Sequence, residues 1–190
     1  MEDQKYLDAL RTYWKRHQSL PSYAKLCDVV GLASKSGVFE MVGRLVDAGF
    51  IERIESRLAP TRRFSASPVV GHVRAGLPQP ASDDEFEVLA IDDYLVGDPN
   101  RTILCKVRGE LMRDAGLLDG DLVVVERNSP TQPGDVVVAV VDGELTVKIL
   151  RMARGQYYLE PANPQFEPIH PKGSLEILGV VVGSFRRLRR

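Results

Sequence analysis

The chain has 190 residues, of which 44% are hydrophobic and 27% are charged, and its formal net charge is −1. This composition is ordinary for a soluble globular protein, and no apolar run approaches the roughly 18 residues that a membrane helix requires. The polar, acidic start of the chain lacks the features of a secretory signal, so we expect a cytoplasmic protein without a membrane partner. The length suits two small domains, each with a core of its own.

Charge is divided unevenly along the chain. Residues 1–70 contain 11 Lys and Arg against 8 Asp and Glu, a net charge of +3, whereas residues 71–190 contain 14 against 18, a net charge of −4. A mildly basic amino-terminal part on an acidic body favours a nucleic-acid-binding head.

The cysteines and histidines give no sign of a disulfide or a metal site. Cys27 lies in an apolar helical pattern and Cys105 in a strand-like run, one in each predicted domain. Free cysteines are more often small core residues than reactive thiols. His17, His72 and His170 are far apart in sequence and lack the short spacings of zinc ligands. We therefore predict neither a bound metal nor a cofactor.

Three helices are predicted in the first 50 residues. Apolar side chains at helical spacing predict the first helix over residues 4–18. Ser22 offers an N-cap for the second helix, which should stop at Gly31. Ser34 can cap the third helix, which should close at Gly49. The short turn between the second and third helices is typical of a helix-turn-helix motif.

A β-hairpin should follow the helices. Residues 50–54 have a strand pattern, residues 55–61 contain turn formers, and residues 62–64 should return as a second strand. Together the helices and the hairpin predict a winged helix-turn-helix domain over residues 1–66. A small helical domain with a hairpin and no ligand is the alternative that the pattern leaves open.

The third helix is the candidate DNA-reading element. Ser36 can bond to a base edge or a phosphate, Glu40 can accept a hydrogen bond from cytosine, and Gly37 would allow a close approach of the helix end. Phe39 has two open interpretations, contact with a thymine methyl group or packing over the first helix as core. The candidate DNA-binding residues are Ser34, Lys35, Ser36, Gly37, Glu40 and Arg44, with Arg57, Arg62 and Arg63 as phosphate contacts from the wing.

The rest of the chain is rich in short strand-like runs separated by turn signals. They predict a mainly antiparallel β domain over residues 85–190, with a helical turn near residues 110–115. The runs are 86–91, 102–107, 122–125, 136–141, 145–150, 156–161 and 175–185. With the amino-terminal helices, they give the fold class α+β.

Three parts of the carboxyl-terminal half carry further expectations. Residues 67–84 are rich in Ser, Ala, Pro and Gly, so they are predicted to form a linker. The run 175–185 is nearly uncharged, and as an edge strand it would pair with a second copy. The basic end, residues 186–190, is expected to be a solvated tail.

Three segments share the arrangement of a known family. Residues 107–121 read VRGELMRDAGLLDGD before an apolar run, residues 143–150 read GELTVKIL, and residues 70–78 read VGHVRAGLP. Together they resemble the LexA family of self-cleaving repressors, and the resemblance covers nearly the whole chain. It implies that Lys148 is a catalytic base, that Ala75-Gly76 is the scissile bond, and that the nucleophilic serine belongs at position 111.

The chain departs from this family at the nucleophile. Position 111 holds Leu111, whose side chain has no oxygen, and no Ser, Thr or Cys lies between Val107 and Val125. A lysine between Val147 and Ile149 can be buried and neutral, as a base must be, but here it has no hydroxyl to deprotonate. We therefore expect an intact peptidase scaffold that does not cut.

The resemblance implies a sequence-specific repressor of DNA-damage (SOS) genes. Its expected partners are a palindromic double-stranded DNA operator, a second copy bound through the carboxyl-terminal domain, and an activated RecA filament. The alternatives are an active serine-lysine self-cleaving peptidase, which Leu111 disfavours, and a module that binds only proteins.

Overall fold

The computed structural model describes residues 2–69 and 87–189. The chain divides into two compact units, Met1–Tyr94 and Leu95–Arg190. The segment around the expected scissile bond Ala75-Gly76 lies outside the described residues. Within the two described ranges, no helix is long and apolar enough to span a bilayer.

The first unit begins with three helices, α1 (Glu2–His17), α2 (Tyr23–Val30) and α3 (Lys35–Asp47), as predicted. Gly31 ends α2 in the left-handed conformation, with φ of 70°, which an L side chain seldom adopts. Ser34 caps α3 through its Oγ, which accepts a hydrogen bond of 3.1 Å from the Gly37 amide. The buried apolar residues of this unit's core are Tyr6, Leu7, Leu10, Leu26, Val38, Met41, Val42, Leu45, Ile51 and Phe64.

A hairpin follows α3, but its second strand comes earlier than predicted. β1 (Ile51–Ile54) pairs antiparallel with β2 (Arg57–Pro60), and Glu55 adopts φ of 54° in the two-residue turn between them. The prediction of a strand over 62–64 was wrong, because Arg62–Ser65 forms a short 3-10 helix. Its Phe64 side chain is 3% exposed, so burial of this ring against the helices takes the place of strand pairing.

The predicted linker begins with ordered structure. β3 (Ser67–Val69) pairs antiparallel with β4 (Glu87–Leu89), so the first three residues of the predicted linker form a strand. The helix α4 (Ile91–Leu95) follows, whereas the pattern had extended the strand to residue 91. Hydrogen bonding between segments far apart in sequence is not visible in local composition.

The second unit is built on one antiparallel sheet of six strands, in the order β5-β6-β10-β7-β8-β9. The strands are β5 (Thr102–Lys106), β6 (Leu122–Arg127), β7 (Val136–Val141), β8 (Glu144–Ala153), β9 (Gln156–Glu160) and β10 (Leu175–Phe185). A 3-10 turn, Arg113–Ala115, lies within the predicted helical turn. These elements confirm the α+β class and the antiparallel carboxyl-terminal sheet.

β10 is not an edge strand, contrary to prediction. Residues 175–180 pair with β7 and residues 179–185 pair with β6, with register shifts on each side of the crossover. Gly179 lies where β10 pairs with both neighbours. Glycine is needed there, because a Cβ would lie 2.5 Å from the Glu126 carbonyl oxygen of β6. A nearly uncharged strand is also typical of a sheet interior, and this interpretation is the one that applies here.

The basic end of the chain is not wholly a solvated tail. The Arg186 guanidinium donates to both carboxylate oxygens of Asp121, whose side chain is 2% exposed. Hydrogen bonding by Arg186 and by the Leu118 amide holds the pKa of Asp121 below its ordinary value despite burial. The ion pair therefore connects the end of the chain to the loop that precedes β6.

Candidate functional site

Two of the three segments that carry the family resemblance, residues 107–121 and 143–150, line one cleft in the second unit. The cleft has a volume of about 280 Å³ and lies between the loop that joins β5 to β6 and the start of β8. Leu111 and Met112 line it from the loop, and Thr146, Val147 and Lys148 line it from β8. The fold thus brings together the expected nucleophile position and the expected base.

Lys148 is buried and bonded to neutral groups. Its side chain is 3% exposed, and its Nζ donates to Thr146 Oγ1 at 2.8 Å and to the Val147 carbonyl oxygen at 2.9 Å. Desolvation lowers the pKa of this amine from its ordinary value. A lysine with a lowered pKa retains a lone pair at a less alkaline pH, which is what a general base requires.

The loop that carries Leu111 is held at several points. The Gly109 amide donates to Asp119 Oδ1 at 2.8 Å, and Gly109 itself adopts φ of 83°. Asn163, whose side chain is 2% exposed, donates from Nδ2 to the Glu110 carbonyl oxygen at 3.0 Å. The residue at position 111 is therefore presented to the cleft by a constrained backbone, as a nucleophile would need to be.

The described lining of the cleft has few groups that could act as the expected nucleophile. Among its described lining residues, the only hydroxyl is that of Thr146, which already accepts the Lys148 hydrogen bond. Cys105 also lines the cleft, but burial raises the pKa of its thiol, which disfavours the nucleophilic thiolate. The side chain at the expected nucleophile position is that of Leu111, which is apolar, so the expected base has no serine hydroxyl opposite it among the described lining residues.

Sequence reasoning missed three residues of this site. Thr146 could have been found, because it lies two positions before Lys148 and alternate residues of a strand share a face. Asp119 and Asn163 act through contacts with the Leu111 loop, and their sequence positions alone give no signal of those contacts. In the described residues, no cluster of His, Cys, Asp and Glu could hold a metal ion.

The outer face of α3 carries most of the predicted DNA-contact residues. Lys35, Ser36 and Glu40 are exposed. The buried residues of α3 are Val38, Met41, Val42 and Leu45. Arg44 is already paired, because its Nε and Nη2 donate to Asp3 Oδ1 at 3.0 and 2.8 Å. This pairing is the main cause that lowers the pKa of Asp3, and it joins α3 to α1.

Gly37 and Phe39 both have close neighbours within the first unit. A Cβ on Gly37 would lie 3.2 Å from Ser34 Oγ, so glycine leaves room for the helix cap. Phe39 is 58% exposed and stacks on Tyr23 of α2, with a centroid distance of 5.2 Å. The interpretation of Phe39 as core over the first helix was therefore wrong.

The three candidate phosphate contacts are exposed but lie on two elements. Arg57 begins β2, whereas Arg62 and Arg63 lie on the 3-10 helix that replaces the predicted second strand. Arg62 is 3.8 Å from Asp93, and the Arg63 guanidinium lies 5.2 Å from the centre of the Phe50 ring. Of these three arginines, Arg57 alone lies on the hairpin.

Known proteins with similar sequences support a common architecture. The Peptidase S24-like family matches residues 68–182, a range that includes the whole cleft. A LexA repressor of Alcanivorax borkumensis is 33% identical over 96% of this chain and 93% of its own length. A LexA repressor of Mycolicibacterium gilvum is 35% identical over 96% and 88%, and LexA repressor 1 of Nocardia farcinica is 33% identical over 99% and 93%.

Replacing the buried lysine should change stability in a pH-dependent way. Since the folded-state pKa of Lys148 is lowered, the unfolded chain binds this proton more readily, and wild-type stability should rise as the pH rises toward the ordinary lysine pKa. Lys148→Met should therefore increase the free energy of unfolding at pH 7 by roughly 1–3 kcal/mol, the usual cost of burying a polar group. Urea unfolding between pH 6 and pH 10 measures the effect.

The matched control is Lys106→Met, because Lys106 is an exposed lysine that lines the same cleft. The stability difference between Lys148→Met and the wild type should shrink as the pH rises, whereas Lys106→Met should differ little from the wild type throughout. A Lys148→Met difference that stays constant with pH would contradict the lowered pKa.

Proposed function

Because this chain belongs to the LexA repressor family, with a Peptidase S24-like domain, we propose that it is a sequence-specific repressor whose self-cleavage is blocked. The observation that best supports the proposal is the cleft lined by both the buried Lys148 and Leu111, the residue at the position where the family resemblance implies a serine. The amino-terminal unit would bind DNA, and the carboxyl-terminal unit would dimerise and retain the inactive peptidase site.

The chemistry of the cleft supports a block at the first step of cleavage. Serine-lysine peptidases need a hydroxyl whose proton passes to the neutral amine as the oxygen attacks the peptide carbonyl. Lys148 can accept a proton, but a leucine side chain has no O–H bond to break and no lone pair to form the acyl bond. The Ala75-Gly76 bond would thus remain intact even where the cleft accepts it.

The amino-terminal unit supports a winged helix-turn-helix assignment. α2 and α3 are joined by a turn of four residues, and the β1-β2 hairpin follows α3 directly. The amino-terminal end of α3 would enter the major groove with Lys35, Ser36 and Glu40. Arg57 on the hairpin would contact phosphates and fix the register without reading sequence.

Dimerisation would explain how so small a head reaches a useful affinity. Because each amino-terminal unit offers few base and phosphate contacts, joining two of them would raise the affinity for DNA ~10²-fold through effective concentration. A two-fold dimer also requires a palindromic operator with half-sites about one helical turn, or a multiple, apart. Since β10 lies inside the sheet, pairing of its whole length with a second copy is not the route.

The regulatory consequence is a repressor that DNA damage cannot inactivate by self-cleavage. An activated RecA filament is the trigger that the family suggests, yet engagement by it would not supply the missing hydroxyl. We propose that this protein holds its genes under constant repression unless its abundance or its DNA affinity changes by another route.

Restoring the serine should restore cleavage. Leu111→Ser places a hydroxyl on the constrained loop beside Lys148, so the protein should yield fragments that end at Ala75 and begin at Gly76, at a rate that rises with pH as the amine loses its proton. Mass spectrometry after incubation at pH 7 and pH 10 identifies the ends. Leu111→Ala is the matched control, because it shortens the side chain without adding an oxygen.

The double variant Leu111→Ser with Lys148→Met should not cut, since the hydroxyl would lack its base. Cleavage by this double variant, or failure of folded Leu111→Ser to cut under any of these conditions, would contradict the roles assigned to the two positions.

Residues that contact bases and residues that contact phosphates should differ in how their loss depends on the DNA sequence. Ser36→Ala and Glu40→Ala should weaken binding to the preferred operator by about 5- to 100-fold and affect other duplexes little, since each base contact is worth about 1–3 kcal/mol. Arg57→Ala should weaken all duplexes to a similar extent and reduce the salt dependence. Gel-shift titrations of the selected operator and of a scrambled duplex distinguish them. Equal weakening of every duplex by Glu40→Ala would show that α3 does not read bases.

A further inference from the structure

An aromatic side chain stands on the outer face of α3 without a burial role. Phe39 is 58% exposed, although a phenyl ring that is only structural gains most when removed from water. Its neighbour in the fold is Tyr23, the first residue of α2, and the two rings are nearly parallel, with an interplanar angle of 23° and a centroid distance of 5.2 Å. The stack therefore joins the first turn of α2 to the outer face of α3.

The stack holds Phe39 in one place. Tyr23 is half-buried and packs against the core of the first unit, so its ring is a fixed support rather than a second mobile side chain. One face of the Phe39 ring lies against this support, and the remaining surface stays in water. Because the ring is already held in place, little side-chain conformational entropy is lost when a ligand binds to it.

Polar groups capable of DNA contact surround the ring. Ser36 lies three positions before Phe39 and so shares its helix face, and the next residue, Glu40, is also exposed. Lys35 borders a hollow of about 460 Å³ whose other lining residues are Tyr23, Ala24, Val38 and Phe39. A cation beside an apolar hollow fits a ligand that presents a phosphate next to an apolar group.

We propose that the Tyr23-Phe39 stack reads a thymine by contact with its C5-methyl group in the major groove. The thymine methyl is the one apolar group that a base pair presents there. Phe39 makes the contact and determines specificity at that base pair, and Tyr23 positions it. This inference rests on the proposed function, since it requires α3 to lie in the major groove.

The direct test removes only the methyl group. The operator is first selected from a random duplex library with the full-length protein, and each thymine of a half-site is then replaced by uracil, which pairs identically but lacks the methyl. Wild-type protein should lose about fourfold in affinity at one thymine per half-site, as expected for one apolar carbon withdrawn from contact. Phe39→Ala should bind the thymine and uracil forms of that site equally.

Two further variants define the roles. Phe39→Leu keeps an apolar contact and should retain part of the discrimination, while Tyr23→Leu should reduce it by removing the support. Ile54→Ala is the matched control, because Ile54 is an exposed apolar residue of the hairpin, 53% exposed, and its loss should leave the thymine preference unchanged. Circular dichroism establishes that each variant is folded.

The experiment distinguishes failure of the thymine-contact inference from failure of the proposed repressor function. Binding to a selected operator with no uracil-sensitive position, or full discrimination by folded Phe39→Ala, would overturn the inference and leave the repressor intact. A protein that enriches no duplex at all would overturn both. A loss of discrimination by Ile54→Ala equal to that of Phe39→Ala would also contradict the assignment.

Discussion

Burial of the Lys148 amine is the constraint on which the account of the second unit depends. A lysine removed from water loses hydration that two neutral acceptors replace only in part, so its pKa falls and the charged form is disfavoured. A chain that needed only to fold would be served better by an apolar residue there. The buried amine is therefore best explained as the base of a proton-transfer site, and the family to which the chain belongs has such a site.

The sheet and the loop around Leu111 are arranged as that site requires. Alternation along β8 places Thr146 beside Lys148. Hydrogen bonds to Asp119 and from Asn163 hold the backbone at Gly109 and Glu110, the two residues before position 111. These supports are present although position 111 holds a leucine. In the proposed function, this one side chain is what keeps the site from reacting.

Features that depend on local chemistry could be predicted from the sequence. Ser34, Gly31 and the spacing of apolar residues located the helices, because caps and periodicity act within a few residues. The position of β10 was missed, since an uncharged strand suits an edge contact and a sheet interior equally. The partner of Arg186 was missed because Asp121 lies 65 residues away, and the exposure of Phe39 depends on a ring in another helix. That Lys148 and Leu111 line the same cleft was predictable only through the family resemblance.

The most direct test of the central claim is the integrity of the unaltered protein under conditions that favour self-cleavage. Full-length protein is incubated at pH 10, where the Lys148 amine is most fully deprotonated, and separately with activated RecA filaments, and intact mass is followed with time. The account predicts a single full-length species in both. Fragments that end at Ala75 and begin at Gly76 would contradict it, because they would require a nucleophile that Leu111 cannot provide.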